Sequence, residues 1–241
     1  MPDTPNSDTP HPQLVLDILP SADPSFDNFV VGSNYEAVDA LRLLTPGRAV
    51  YLWGPEGCGK THLLQAAVRA TPGGVLHGPD SSPADFEQLV QSPLPPIIGI
   101  DNVHSLDAQQ QALVFALYNQ WRESAATTRA TMLVVTGDRA PLHMPLREDL
   151  RTRLGWDLVF RLELLSDDDK LAALQAHASS KALRIPPEIL EWLLTRYVRD
   201  MRQLTALLDA LDRYSLATKR PITLPLLKTM LAEASPSSQY R

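Results

Sequence analysis

A parallel β-sheet covered by helices on both faces, followed by a small all-helical domain, is the α/β fold this sequence predicts. Three observations predict it. Short, continuously apolar runs recur at Ala49–Trp53 (AVYLW), Ile97–Asp101 (IIGID) and Thr131–Thr136 (TMLVVT), as expected for strands buried on both faces. Helical patterns lie between them, so each connection is long enough for a parallel crossover. After Leu165 the strand signals stop and the pattern is helical.

The elements follow in order. Residues 1–25 are rich in Pro, Ser, Asp and Thr and are expected to form a mobile tail, interrupted by the apolar stretch Gln13–Leu19. Ala49–Trp53 runs into a helix at Lys60–Ala70, stopped by Pro72-Gly73-Gly74. Val75–His77 reads as a short strand and Pro83–Gln91 as a weak helix. Pro95-Pro96 precedes the strand Ile97–Asp101, and Asp107–Glu123 is an amphipathic helix with Leu113, Leu117 and Trp121 four residues apart. Arg147–Leu154 is a short helix and Asp157–Leu162 a fifth strand. Ser166 is an N-cap, and Asp167, Asp168 and Asp169 suit the positive end of the helix that follows. Pro186-Pro187 opens a further helix through Arg196, and others are expected at 200–217 and 223–233. The expected organisation is a tail (1–25), an α/β domain (26–165), a helical domain (166–234) and a frayed end (235–241).

Composition narrows the function. The 241 residues are 44% hydrophobic, enough for a core, and 22 basic against 28 acidic residues leave a net charge of −6. That balance argues against a broad nucleic-acid grip, which needs clustered Lys and Arg. The single cysteine, Cys58, excludes an internal disulfide. The N-terminus lacks a basic segment leading into an apolar run, and no apolar stretch reaches the ~18 residues of a membrane span, so a soluble, cytoplasmic protein is expected. The six histidines show no metal-ligand spacing, and Trp53, Trp121, Trp156 and Trp192 read as core or interface residues.

Gly54-Pro55-Glu56-Gly57-Cys58-Gly59-Lys60-Thr61 matches the phosphate-binding pattern G-x-x-x-x-G-K-[ST] in full, with an apolar strand before it and a helix after. Glycines let backbone N–H groups turn inward around phosphates at a helix N-terminus. Lys60 would reach the outer phosphates, and the Thr61 hydroxyl would ligate Mg²⁺. The alternative is a glycine turn with no ligand. Asp101 ends a buried strand, where a carboxylate can hold Mg²⁺ or its water; the alternative is a turn cap. Residue 102 is Asn, whose amide cannot accept a proton from an attacking water at neutral pH. The expectation is tight binding of ADP or ATP with slow intrinsic hydrolysis. Cys58 reads as a small filler.

Several segments together resemble the family of the bacterial replication initiator DnaA, within the AAA+ class of P-loop proteins. The lead-in Phe26-Asp27-Asn28-Phe29-Val30-Val31-Gly32-Ser33-Asn34 is similar to that family's approach to its nucleotide module. Thr136-Gly137-Asp138-Arg139 resembles its first sensor, Asp149-Leu150-Arg151-Thr152-Arg153-Leu154-Gly155-Trp156 its arginine-finger box, and Arg199-Asp200-Met201-Arg202-Gln203-Leu204 the second sensor of its helical lid. The likeness spans residues 25–232. It implies an AAA+ P-loop fold with a five-stranded parallel sheet and a C-terminal helical lid. It also implies nucleotide contacts from Val30, Val31, Asp138 and Arg202, and a finger at Arg153 that acts on a neighbour's nucleotide. The alternatives are a surface arginine at 153 paired with Asp149 or Glu148, a lid-to-base salt bridge for Arg202, and a turn-stabilising Asp138.

Two departures shape the functional expectation. No counterpart of the initiator's basic DNA-reading domain is expected after the lid, and DNA contact is expected to be indirect or weak. Gln13-Leu14-Val15-Leu16-Asp17-Ile18 is similar to the Q-L-x-L-x-L segment with which replication proteins dock on the sliding clamp, the β subunit of the DNA polymerase. Gln13, Leu14, Leu16, Ile18 and Leu19 would make that contact as an extended segment; the alternative is a latch on this chain's own body. The resemblance therefore implies a negative regulator of replication initiation. Bound to the clamp, it would stimulate ATP hydrolysis by DnaA in trans, and homo-oligomers are compatible with the fold. The rivals are an independent ATPase of helicase-loader type and a non-catalytic adaptor.

Overall fold

The structure is a computed structural model and describes residues 23–196 and 200–234. Gln13–Leu19, Arg199 and the end after Ala234 lie outside the described residues. Two compact units divide between Leu165 and Ser166.

The first unit runs α1 (Tyr35–Arg42), β1 (Ala49–Trp53), α2 (Lys60–Ala70), β2 (Val75–His77), α3 (Pro83–Gln91), β3 (Ile97–Ile100), α4 (Ala108–Ser124), β4 (Met132–Gly137), α5 (Glu148–Leu154) and β5 (Leu158–Arg161). Short 3₁₀ turns occupy Val103–Ser105 and Pro141–His143. The five strands are all parallel, in the order β2-β3-β4-β1-β5.

Strand periodicity explains why the sheet is covered twice. Side chains alternate between faces, and here both faces are apolar. Ala49, Tyr51, Ile98, Ile100, Leu133 and Val135 join one core with Phe86 of α3, Leu117 and Trp121 of α4, and Leu150 and Leu154 of α5. Val50, Leu52, Ile97 and Val134 join the other with Val38 and Leu41 of α1 and Leu63, Leu64 and Ala67 of α2. A sheet buried on both sides needs the continuous apolar runs that the sequence shows.

An ion pair ties the beginnings of two neighbouring strands. Arg48 donates to Asp157 from Nε at 2.8 Å and from Nη2 at 2.6 Å, and the Ala49 amide donates to the same carboxylate at 2.8 Å. The Arg48 hydrogen bond, opposed by partial burial, holds the Asp157 carboxyl below its ordinary range. A depressed carboxylate stabilises the fold fully above its unfolded pKa, and that contribution is lost as pH falls through the folded value. Arg48 is half-exposed, so screening limits the effect to about 1 kcal/mol. Asp157→Asn is therefore expected to lower Tm at neutral pH. Melting curves should show the deficit closing as pH drops below the ordinary carboxylate range.

The second unit contains α6 (Asp167–Ser180), α7 (Pro187–Arg196), α8 (Met201–Thr218) and α9 (Leu224–Ala234). Ser166 and Asp169 form a reciprocal capping box at the start of α6. Asp200 caps α8 by accepting from the amides of Arg202 and Gln203. Its core gathers Leu174, Ile189, Leu193, Leu207, Leu208, Leu211 and Leu227. The α8 pattern places leucines at 204, 207, 208 and 211, which is one helical face.

Candidate functional site

In a parallel sheet all strand carboxyl ends open on one edge, and the loops that follow them converge there. The loop after β1 is Gly54–Gly59. Its glycines have φ of +150° (Gly54), +79° (Gly57) and +95° (Gly59), values that L side chains rarely adopt. At Gly59 space imposes a second requirement, because a Cβ there would sit 2.6 Å from the Phe29 ring. The same residue starts α2 without any side-chain cap, whereas Ser82, Asp107 and Ser166 cap α3, α4 and α6. Uncapped N–H groups at the positive end of a helix dipole suit an anion.

Lys60 is buried and donates from Nζ to the carbonyls of Gly54 and Pro55, both at 2.8 Å. The ammonium is thereby fixed inside the loop. Cys58 Sγ lies 3.7 Å from it, and burial pushes the thiol up from its ordinary value, so the residue is a small apolar filler with little thiolate. Pro55, Glu56 and Gly57 are exposed on the rim.

Asp101 follows β3, one residue beyond where the strand ends. Its amide donates to the His77 carbonyl at 2.8 Å, which continues the β2–β3 ladder. Its carboxylate is the hub of the site. Thr61 Oγ1 donates to its two oxygens at 2.9 and 3.1 Å. Thr136 Oγ1, at the end of β4, donates to Oδ1 at 2.6 Å. The Thr136 hydroxyl also accepts the Asn102 amide at 2.8 Å, and Asn102 Nδ2 reaches Asp101 Oδ2 at 3.3 Å. Asn102 has φ +49° and ψ +52°, a left-handed conformation that Asn adopts more readily than most residues. A hydroxyl and a carboxylate side by side form an all-oxygen donor set, which fits a hard cation such as Mg²⁺. No cluster of three or more His, Cys, Asp or Glu able to hold a metal occurs among the described residues.

The lead-in segment packs on this loop. Phe29 rests against Gly59 and tilts against His62 of α2, with centroids 5.3 Å apart. His62 Nε2 is 2.9 Å from the Ser25 carbonyl. Val31 packs partly buried on the α1–α2 core, and Val30 is half-buried. Buried Asn34 then clasps the backbone after β5, giving from Nδ2 to the Glu163 carbonyl at 3.1 Å and taking the Glu163 amide at 2.8 Å.

Two expected nucleotide residues make other contacts here. Asp138 pairs with the adjacent Arg139, whose hydrogen bond holds its carboxyl below the ordinary range. The side chain that bridges Asp101 and Asn102 is Thr136, two residues earlier. Arg202 lies in the first turn of α8, 3.8 Å from the Asp200 carboxylate and exposed.

Arg153 is the centre of a second cluster. Its Nε and Nη2 donate to Asn119 Oδ1 of α4 at 3.1 and 2.6 Å, and Nη1 donates to the Asp149 carbonyl at 3.3 Å. That leaves one N–H on each terminal nitrogen, the fork that matches phosphate. Its Cζ lies 3.8 Å from the Phe115 ring centroid and 4.7 Å from that of Trp156. The Asp149 carboxylate is engaged by Arg147 at 2.7 Å. The surface ion pair weighed for Arg153 is therefore not what the structure contains. Neutral oxygens and aromatic faces hold it.

Comparison with known proteins places the chain among relatives. Residues 50–162 match the family model described as ATPase family associated with various cellular activities (AAA). Residues 167–231 match the model described as Hda, lid domain. Among solved structures, domain III of the replication initiation protein DnaA from Thermotoga maritima superposes with a TM-score of 0.64 at 22% identity, covering 90% of this chain and 100% of that one. AMPPCP-bound DnaA from Aquifex aeolicus gives 0.62 at 19% identity, covering 81% and 67%. The Thermotoga maritima RuvB Holliday junction branch migration motor gives 0.62 at 18% identity, covering 87% and 72%. At these identities the solved structures establish the fold. No helix among the described residues is long and apolar enough to cross a membrane.

Proposed function

Since this chain is a DnaA-related AAA+ protein with an Hda-type lid, we propose that it negatively regulates replication initiation by completing the ATPase site of DnaA with Arg153. One observation carries this reading: the Arg153 guanidinium is fixed in place by partners that do not neutralise it. A finger must keep its charge for a phosphoryl group on another subunit, and it must be held so that little ordering remains at the moment of reaction. Aromatic faces and amide oxygens satisfy both needs, whereas a carboxylate partner would compete for the charge.

The chain's own nucleotide, ADP or ATP, would sit on the loop 54–61, with Lys60 on the outer phosphates. Thr61 and Asp101 would hold Mg²⁺, which neutralises phosphate charge when bound. Val30, Val31, Asp138 and Arg202 remain proposed nucleotide contacts. Asn102 stands where a general base would orient water, and its amide already donates toward Asp101. Own-site turnover is therefore slow in this reading. Asn102→Asp keeps a residue tolerant of the left-handed backbone and supplies a carboxylate. It should raise intrinsic hydrolysis at least about ten-fold, a fraction of what a well-placed general base contributes. Phosphate-release kinetics on the isolated protein check this.

Gln13–Leu19 would dock as an extended segment on the sliding clamp and bring Arg153 to DnaA near the replication fork. The test follows hydrolysis of DnaA-bound ATP in the presence of clamp-loaded DNA. Arg153→Ala should remove the stimulation at every concentration, and Gln13→Ala should remove it only where the clamp supplies proximity. An unchanged rate with Arg153→Ala and a lost one with Gln13→Ala would make the protein a non-catalytic adaptor instead.

A further inference from the structure

Trp156 has a placement that the fold does not require. It follows α5, where Gly155 N–H returns to the Thr152 carbonyl and Trp156 N–H to the Arg153 carbonyl. Its side chain is absent from both core clusters of its unit and is 37% exposed. A large aromatic ring left at the surface is a poor use of apolar area. Two cations use it instead. Arg153 Cζ is 4.7 Å from the ring centroid, and Arg122 Cζ, from the last turn of α4, is 4.5 Å from it. Both distances lie within the range of cation–π attraction, and Trp is the strongest aromatic partner for it.

We propose that Trp156 is a positioning residue for Arg153, held against it by Arg122; this rests on the reading of Arg153 as a finger acting in trans. The two hydrogen bonds to Asn119 fix the Nε–Nη2 edge of the guanidinium, and the one from Nη1 to the Asp149 carbonyl is the longest of the three at 3.3 Å. A planar group pinned along one edge can still pivot about it. Phe115, at 3.8 Å, limits that pivot from one ring, and Trp156 limits it from a second. The pair of N–H groups left over is then presented in a set direction, which bidentate phosphate recognition requires. Arg122 gives the indole an electrostatic tie to the last turn of α4.

A positioning residue affects the turnover of the assembled complex more than its assembly. With clamp-loaded DNA and ATP-bound DnaA, Trp156→Leu should lower the maximal stimulated rate roughly 5-fold, the loss expected from one partly exposed cation–π contact. The concentration giving half-maximal rate should stay close to wild type. Trp156→Phe, which retains a ring face, should recover most of the rate. A second measurement needs no partner. The Arg153 Nε–H, assigned by NMR in the full chain, should exchange with water several-fold faster in Trp156→Leu and revert toward wild type in Trp156→Phe. An unchanged exchange rate, or a change only in the half-maximal concentration, overturns the positioning role. A rate that survives Arg153→Ala overturns the finger reading beneath it. A rate lost with Arg153→Ala but kept with Trp156→Leu overturns the positioning role alone.

Discussion

Arg153→Ala is expected to erase the stimulation of DnaA-bound ATP hydrolysis, a loss of about 10³–10⁵-fold, the range for an arginine supplied in trans. The size follows from where the residue acts. A guanidinium facing the transferring phosphoryl group contributes to the transition state and hardly at all to docking, so rate falls while complex formation persists. Lysine should not rescue it. An ammonium cannot bridge Asn119 with two nitrogens, lie flat on Phe115 and still present two N–H groups to phosphate. The fold should tolerate the change, because the Arg153 side chain is only half-buried and α5 is anchored by fully buried Leu150 and by Leu154. Single-turnover hydrolysis, read beside a binding assay for the complex, distinguishes lost chemistry from lost docking. Asn119→Ala should reproduce part of the defect, since it frees the guanidinium edge without removing the charge.

Lys60→Ala is expected to weaken this chain's own nucleotide affinity by roughly 10- to 100-fold, corresponding to the loss of charge-assisted hydrogen bonds of ~1.5–3 kcal/mol. The ammonium is buried within the loop and bonded to the Gly54 and Pro55 carbonyls, so its removal also takes that donor from both oxygens and loosens the cradle. Titration calorimetry with ADP and with ATP measures the loss. Its downstream effect should differ in kind from that of Arg153→Ala. If the bound nucleotide sets the shape of this protein, the stimulation of DnaA lost in Lys60→Ala should return at high nucleotide concentration, whereas nothing restores Arg153→Ala.

The contrast between those two residues marks what the sequence makes legible. The phosphate loop is contiguous, and strand, loop and helix follow one another in eight residues of pattern plus their flanks, so Gly54–Thr61 falls where the motif requires. The strands are legible because both faces are buried and the apolar runs are unbroken. Their ends shift by a residue: the strand expected through Asp101 stops at Ile100, which leaves Asp101 in the turn. Helix α1 has no counterpart in the sequence reading. With only two turns, Ala37, Val38 and Leu41 set no period that stands out from the charged residues around them.

Tertiary proximity is what the sequence hides. Thr136 meets Asp101 from another strand 35 residues away, and Asn34 meets Glu163 across 129. Arg153 has carboxylates beside it in sequence, Glu148 and Asp149, and local reasoning pairs it with them. In the fold its hydrogen bonds go to Asn119, 34 residues earlier, because α4 and α5 pack on the same face of the sheet. Phe29 on Gly59 is a further case, visible only once the lead-in segment is seen folded over the loop.

In the proposed mechanism the nucleotide held on Gly54–Thr61 sets the shape of this protein, while the nucleotide that is cleaved sits on DnaA. A two-label single-turnover experiment tests it most directly. This chain is loaded with a non-hydrolysable ATP analogue or with ADP, DnaA is loaded with γ-labelled ATP, and the two are mixed on clamp-bearing DNA. Rapid release of label that depends on Arg153 is expected. Release that fails unless this chain carries a hydrolysable nucleotide, or that proceeds equally with Arg153→Ala, would contradict it.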